Sequence, residues 1–189
     1  MGKKAENNKK KKSRKRKRWI IFITIWTFIL TISFNIISEI LLQNNFILIS
    51  FLLLISIVSM GIFSDMIGIA VASADLTPFN AMASNKVKGS KEAVQIVKNA
   101  SQVSSFCNDV VGDICGIISG ATSISIAYEI LTYTNLMESA MVIVVLNGFV
   151  AAFTVGGKAM GKNIALENNT EIVFRFGFIL SVVKGFVGK

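Results

Sequence analysis

The sequence contains no histidine, only two cysteines and a single proline. Without histidine the chain lacks the usual imidazole general base and the commonest zinc ligand, which argues against hydrolase and zinc-protein functions. Cys107 and Cys115 lie in one apolar stretch, where a helix would separate them by about 12 Å, too far for a disulfide. No nucleophile and base pair is visible either, so we do not expect an enzyme.

Charge is also scarce beyond the first residues of the chain. The net charge is +9, but residues 3–18 alone contain eleven Lys or Arg and a single acid, Glu6. The remainder is nearly neutral, and the whole chain has 52% hydrophobic residues and a mean hydropathy of +0.61, far more apolar than an ordinary globular domain. This composition predicts an integral membrane protein with a disordered polybasic tail over residues 1–18.

Four apolar stretches are long enough to cross a membrane as helices, which takes about 20 residues each. Their approximate bounds are 19–42, 46–73, 104–131 and 137–160. The first has too long an apolar run for a cleaved signal peptide and is therefore a retained anchor. The predicted fold is an all-α membrane bundle of about four transmembrane helices, forming one domain over residues 19–189.

Two polar segments, 77–103 and 163–189, are expected to form juxtamembrane helices. In the first, Thr77 and Pro78 suit an N-cap and a first helical position. Further along, Ala93 and Ile96 recur at helical spacing, which is typical of an amphipathic helix that lies along the membrane surface. The second segment is rich in Phe and interrupted by charges. Its residues 172–183 are apolar enough that a fifth span is the alternative to an interfacial helix.

The positions of Lys and Arg predict the orientation. The nine basic residues after position 18 fall only within 86–98 and 158–189. Short cytoplasmic segments carry an excess of Lys and Arg, and four spans place both regions and the N-terminal tail on one side. We therefore expect a multi-pass protein of the cell membrane with both termini in the cytoplasm.

The polybasic tail is best explained as a topogenic signal that also attracts anionic lipid headgroups. It has no aromatic residues among its charges, so it offers no surface on which nucleic-acid bases could stack. The expected partners are therefore the bilayer and anionic lipid headgroups, and no nucleic acid.

Polar groups inside the spans are costly in a bilayer and indicate functional sites. Asp65 lies near the cytoplasmic end of the second span, and Asn108, Asp109 and Asp113 lie near the start of the third. Asp109 and Asp113 are expected to share a helix face, where two carboxylates repel unless a cation or a proton intervenes. Such oxygen ligands suit Mg²⁺. The alternative is that Lys158, in the fourth span, pairs with an aspartate and no ion is bound.

Two groups of glycines stand out in the last two spans. The third span has glycine at every fourth position: Gly112, Gly116 and Gly120. Such a ridge permits close helix packing, either within the chain or across a homodimer. The fourth span ends in a second group: Gly156, Gly157 and Gly161. We expect these glycines to allow a break in the helix. Such a break would expose backbone carbonyl oxygens near Asp65, Asn108, Asp109 and Asp113.

Three stretches of the chain carry a family resemblance. They are IFSDMIGIAVASADLTPFNAMA (62–83), KGSKEAVQIVKNASQVSSFCNDVVGDICG (88–116) and VGGKAMGKNIAL (155–166). In this order they resemble the transmembrane domain of the cyclin M and CorB family of magnesium transport proteins. The first is similar to a helix with a Ser-Glu-x-Ala motif, the second to a basic amphipathic helix followed by a Gly-Asn-bearing helix, and the third to a Gly-Glu-x-x-Pro-Lys-x-x-Ala-Leu segment.

The resemblance implies a three-helix core surrounded by a belt of cytoplasmic juxtamembrane helices, commonly dimeric, with a cation site that opens to the cytoplasm. The first predicted span would be an additional helix. The regulatory cystathionine-synthase-type domains of the family do not occur in the sequence, so nucleotide sensing through them is not expected.

None of the three family motifs is intact. Ile67 and Gly68 stand in place of the Ser-Glu pair, Cys107 and Asn108 in place of Gly-Asn, and Gly157 and Lys158 in place of Gly-Glu. Only Asn108 and the backbone of Gly157 carry over as metal ligands. A lysine ammonium at position 158 would stand where the cation binds, and the two positive charges should exclude each other.

These observations lead to two functional hypotheses. The first is a divergent magnesium or divalent-cation transport protein of the cyclin M and CorB kind. Its metal ligands would be Asp65, Asn108, Asp109, Asp113 and Gly157, and Lys158 would be its gate or tethered counter-ion. The second is a non-transporting membrane scaffold or regulator of the same fold, in which an ion pair between Lys158 and an aspartate replaces the metal.

Overall fold

A computed structural model describes residues 19–33, 35–36, 47–134 and 140–187, and every regular element in these ranges is a helix. The helices are α1 (Trp19–Ser33), α2 (Ile47–Ser73), α3 (Leu76–Ser84), α4 (Ser90–Lys98), α5 (Ala100–Ser105), α6 (Asp113–Thr134), α7 (Ala140–Glu167) and α8 (Asn169–Val187). A π-helical segment, Phe106–Gly112, joins α5 to α6.

Three helices in the described part of the chain are long and apolar enough to cross a membrane. They are Ile47–Ser73, Ala100–Thr132 (α5, the π-helical segment and most of α6) and Ala140–Glu167. The chain is thus a helical, multi-pass membrane protein. Three of the four predicted spans each correspond to one of these long helices. Of the remaining predicted span, 19–42, the structure describes helix α1 over Trp19–Ser33. Residues 37–42 and the tail 1–18 lie outside the described residues.

The three long helices pack against one another, and α2 contacts both α6 and α7. They differ in how much protein covers them. In its most apolar stretch, the helix that contains α6 has 56% of its residues buried, α2 has 17% and α7 has none. Helix α6 is therefore the inner helix, also covered by Ile23 and Leu30 of α1. Many large apolar side chains of α2 and α7, such as Leu52, Ile55, Phe149 and Phe153, are exposed in the described structure, as contact with lipid requires.

Helices α3, α4 and α8 form a layer against the ends of α2 and α7, which we call the short-helix layer. Its core contains Phe79, Ala93 and Val173, whose exposure is 0%. Val71 from the end of α2 and Ala165 from the end of α7 belong to the same cluster. The short-helix layer therefore shares one hydrophobic core with the ends of two long helices.

Helix α4 has the predicted amphipathic character. Ala93 and Ile96 are buried, while Lys91 and Lys98 on the other face are exposed. The apolar face of α4 packs against protein, however, because α8 lies directly on it. Gly89 precedes α4 with a φ of 89°, and a Cβ there would lie 2.6 Å from the Cα of Phe178. Only glycine combines this left-handed conformation with such a close backbone approach.

The start of the first juxtamembrane segment differs from the prediction. Asp75, rather than Thr77, caps α3: the Thr77 backbone N–H donates to Oδ1 of Asp75 at 3.2 Å, and α3 begins at Leu76. Pro78 therefore lies within the first helical turn, where its missing N–H needs no partner. The hydrogen bonds from the Thr77 N–H and hydroxyl lower the pKa of the Asp75 carboxyl. The segment consists of α3, α4 and α5.

The fourth span is longer than predicted. Helix α7 continues without a break through its glycines to Glu167, seven residues beyond the expected end at Met160. Two of the three glycines serve packing instead: Cβ atoms at Gly157 and Gly161 would lie 2.3 and 3.7 Å from side-chain atoms of Ile62 in α2, whereas one at Gly156 would meet no atom of the described residues within 4 Å. The last juxtamembrane helix is accordingly α8, and Gly177 brings its backbone against that of Ala93 in α4.

Candidate functional site

An ion pair between α2 and α7 lies near the end of the bundle that carries the short-helix layer. The Nζ atom of Lys158 is 4.0 Å from Oδ1 of Asp65, and the two side chains are 26% and 18% exposed. This distance exceeds that of a hydrogen bond, so the two groups interact through their charges. The sequence left open which of Asp65, Asp109 and Asp113 would pair with Lys158. In the structure, the partner is Asp65.

Gly112, the last residue of the π-helical segment, provides the space for this pair. A Cβ atom on Gly112 would lie 3.4 Å from Nζ of Lys158 and 3.9 Å from Oδ1 of Asp65. Gly112 is itself buried. The lysine ammonium is therefore held between α2 and the π-helical segment, at a depth where an unpaired charge would be costly.

The π-helical segment is the unusual backbone feature of this region. Its wider turn places the Cys107 carbonyl oxygen within reach of α2, where the Ser64 hydroxyl donates a hydrogen bond to it at 2.8 Å. Single π turns inside α-helices are rare and frequently occur at functional sites. The sequence pattern did not predict this segment: its polar residues Asn108 and Asp109 were interpreted as metal ligands on a regular α-helix.

Asn108 in the same segment lies directly on Gly68 of α2. A Cβ atom on Gly68 would be 1.8 Å from Oδ1 of Asn108, so a larger residue at position 68 requires the Asn108 side chain to move. The Oδ1 atom is buried and has no hydrogen-bond partner among the described residues. Because a buried polar atom without a partner is costly, this oxygen is the best-placed group for a ligand that the amide could bind.

The other proposed metal ligands do not complete a metal site within the described part of the chain. Asp109 and Asp113 are both exposed. Gly157 lies in an uninterrupted part of α7 and packs on Ile62. Within the described ranges, no three His, Cys, Asp or Glu side chains come close enough together to hold one metal ion. The structure therefore brings Asp65, Lys158 and Gly112 together, but it does not assemble all five predicted metal ligands into one site.

The predicted glycine ridge makes contact at only one of its three positions. Gly112 is in close contact, as described above, whereas a Cβ atom at Gly116 or Gly120 would meet no atom of the described residues within 4 Å. Cys115, which precedes Gly116, packs closely against α2 instead. A Cβ atom added at Gly61 of α2 would lie 2.9 Å from the Cβ of Cys115. Both cysteines are free and buried.

Two polar features lie in the half of the bundle away from the short-helix layer, and the sequence had not assigned them a role. The Ser123 hydroxyl of α6 is hydrogen-bonded to the side-chain amide of Asn147 in α7, which joins the two helices. Glu129 of α6 has a buried carboxylate oxygen without a hydrogen-bond partner in the described part of the chain. The rule that singles out ionisable residues in apolar helices would have found Glu129 as well.

Comparisons with known proteins do not identify a family. No protein-family model matches the chain, and neither a curated protein nor a solved structure is significantly similar to it. The three motif stretches therefore remain the whole basis for the resemblance to magnesium transport proteins.

Proposed function

We propose that this protein is a non-transporting membrane scaffold or regulator in which the Lys158 ammonium takes the place of a bound cation. The observation that supports this function is the distance of 4.0 Å between Lys158 and Asp65. A lysine and a metal ion would compete for the same carboxylate, and the lysine is covalently attached. In this function both termini are cytoplasmic, and the polybasic tail and the short-helix layer form the surface that is presented there.

Transport of Mg²⁺ or another divalent cation is the second proposal, and one specific observation favours it. The unpartnered Oδ1 of Asn108 is the kind of hard oxygen ligand that Mg²⁺ prefers, and Asp65 supplies a carboxylate in the same region. Asp109, Asp113 and the Gly157 backbone would then have to complete the coordination sphere after a conformational change. Lys158 would have to leave Asp65 for an ion to enter.

Growth of a magnesium-auxotrophic host that expresses the full chain separates the two proposals. We expect no rescue of growth at low Mg²⁺ by the wild-type protein, and no difference between it and the Asp109→Ala or Asp65→Asn variants. Rescue by the wild type that is lost in both variants would contradict the scaffold proposal and support transport.

Thermal unfolding of the purified protein in detergent tests the ion pair itself. Removal of one member should cost about 1–3 kcal/mol, between the values for exposed and fully buried ion pairs, because both side chains are partly exposed. Lys158→Met and Asp65→Asn should each lower Tm, and the double variant should lose less than the sum. Lys162→Met, which removes an exposed lysine one turn away in α7, is the matched control. Additive effects of the two single variants would contradict the pairing.

A further inference from the structure

A groove runs along the pair formed by α2 and α7, on the side away from α6. Its volume is about 910 Å³, and among the described residues its lining comes from α2 and α7. Large apolar side chains dominate both walls: Phe51, Ile55 and Ile62 from α2, and Phe149, Phe153 and Met160 from α7. Helix α6 contacts the other side of the pair, where Cys115 packs on Gly61 and Ser123 reaches Asn147. The groove therefore opens towards lipid.

A second cavity continues the groove at the end of the bundle that carries the short-helix layer. It has a volume of about 490 Å³, and its walls include Met66 and Ile164. These residues follow Ile62 and Met160 of the first groove by one helical turn each. Helix α8 closes this end, and it contributes Glu171 and Arg175 to the lining. The apolar groove thus ends in a pocket that contains one charge of each sign.

The two charged groups retain free hydrogen-bonding capacity. The Arg175 Nη2 atom lies 2.5 Å from Oε1 of Glu171, and the side chains are 74% and 59% exposed. An arginine has five N–H donors and a carboxylate two oxygens, so this contact leaves four donors and Oε2 of Glu171 available. A ligand can therefore bind both groups without breaking their ion pair, provided that it carries an anionic acceptor beside a cationic donor.

The length of the groove indicates the size of the occupant. Phe51 and Ile62 are eleven residues apart in α2, which is about 17 Å of helix and roughly half of a hydrocarbon core of about 30 Å. The apolar part thus spans about one leaflet, with the charged pocket at the interface. A helix from a second copy would fill the apolar groove but leave the charged pocket unmatched, whereas a lipid matches both parts.

We propose that this groove binds a zwitterionic phospholipid with a primary amine in its headgroup. One acyl chain lies between α2 and α7, the phosphate accepts hydrogen bonds from Arg175, and the ammonium donates to Glu171. Guanidinium groups suit phosphate oxygens, and an N–H donor is required for a hydrogen bond to the carboxylate. A trimethylated amine has no such donor, and an anionic headgroup without an amine is repelled by Glu171.

Native mass spectrometry of the full chain in detergent tests this proposal with three lipids of identical acyl chains: phosphatidylethanolamine, phosphatidylcholine and phosphatidylglycerol. We expect phosphatidylethanolamine to bind about tenfold more tightly than the other two, the effect of one charge-assisted hydrogen bond. Glu171→Gln should remove the preference over phosphatidylcholine, and Arg175→Gln should weaken the binding of all three. Lys184→Gln, an exposed basic residue of α8 outside the pocket, is the control and should change neither.

A groove variant completes the experiment. Ala152→Trp fills the apolar part and should abolish the binding of all three lipids while Glu171 and Arg175 remain in place. Equal binding of the three lipids to the wild type would overturn the proposal. So would a stable dimer that Ala152→Trp dissociates, because a second copy would then occupy the groove. Unchanged Tm values for Glu171→Gln and Arg175→Gln would show that their effects on lipid binding are not effects on folding.

Discussion

The short-helix layer and the membrane-spanning helices bury their apolar side chains in different ways. In the layer, Phe79, Ala93 and Val173 have no exposed surface, as in the core of a soluble protein. In the spanning part, the most apolar stretch of α7 has no buried residue at all. Apolar side chains are thus buried by protein in the short-helix layer, whereas in the spanning helices they contact lipid.

The polar cluster lies where these two regions meet. Asp65, Asn108 and Lys158 are near the ends of their spans and above the core of the short-helix layer. At this depth, charged and amide groups can be covered by protein on one side and reach water on the other. The following variants test whether the two regions differ in stability as they differ in packing.

The largest effect is expected from a matched pair of phenylalanines. Phe79→Ala, in the core of the short-helix layer, should lower the free energy of unfolding by about 3–5 kcal/mol, because it leaves a cavity among fully buried side chains. Phe63→Ala, in α2, removes a side chain that is 59% exposed to lipid and should cost much less. Thermal unfolding in detergent measures both, and equal losses would contradict the distinction between the regions.

The next effect concerns the contact between α2 and the π-helical segment. Gly68→Ala should cost about 1–3 kcal/mol, because the added methyl group overlaps the Asn108 side chain. The double variant Gly68→Ala with Asn108→Ala should recover most of the lost Tm. Gly148→Ala is the control, since a methyl group there meets no atom within 4 Å in the described part of the chain. Failure of the second substitution to rescue the first would show that the clash is not with Asn108.

A smaller effect is expected in the opposite half of the bundle. Asn147→Leu removes the hydrogen bond to Ser123 that joins α6 and α7. Such bonds between membrane helices contribute about 0.6 kcal/mol on average, so Tm should fall only slightly. A double-mutant cycle with Ser123→Ala isolates the interaction. A coupling as large as the effect of Gly68→Ala would contradict the weak contribution that we assign to this contact.

The smallest effect is a pH dependence in the short-helix layer. The pKa of Asp75 is lowered in the folded protein by the backbone N–H of Thr77. Its contribution to stability is therefore complete above the pKa of the unfolded chain and is lost as the pH falls through the folded value. Asp75→Ala should lower Tm slightly at pH 7, and the difference from wild type should shrink below about pH 4. A difference that is independent of pH would contradict the role of the charged cap.

Much of the fold could be predicted from particular residues. The apolar stretch that begins at Phe46 predicted α2 to within a residue, and the positions of Ala93 and Ile96 predicted the buried face of α4. The site was less predictable. Asp65 and Lys158 were both singled out, but the sequence left open which of the three aspartates Lys158 would pair with, because that choice depends on how α2 packs against α7. The π-helical segment was not predicted either, and the contact of its Asn108 with Gly68 depends on a residue of α2 that is distant in the chain.

The sequence by itself determined that the chain is helical and enters a membrane, because lipid solvates apolar side chains locally and a helix satisfies its own backbone hydrogen bonds. The tertiary structure alone decided which polar groups meet. The pairing of Lys158 with Asp65 and the position of Asn108 depend on how closely α2, α7 and the π-helical segment approach. That approach is set at Gly68 and Gly112, where the absence of a side chain matters only because of residues distant in the chain.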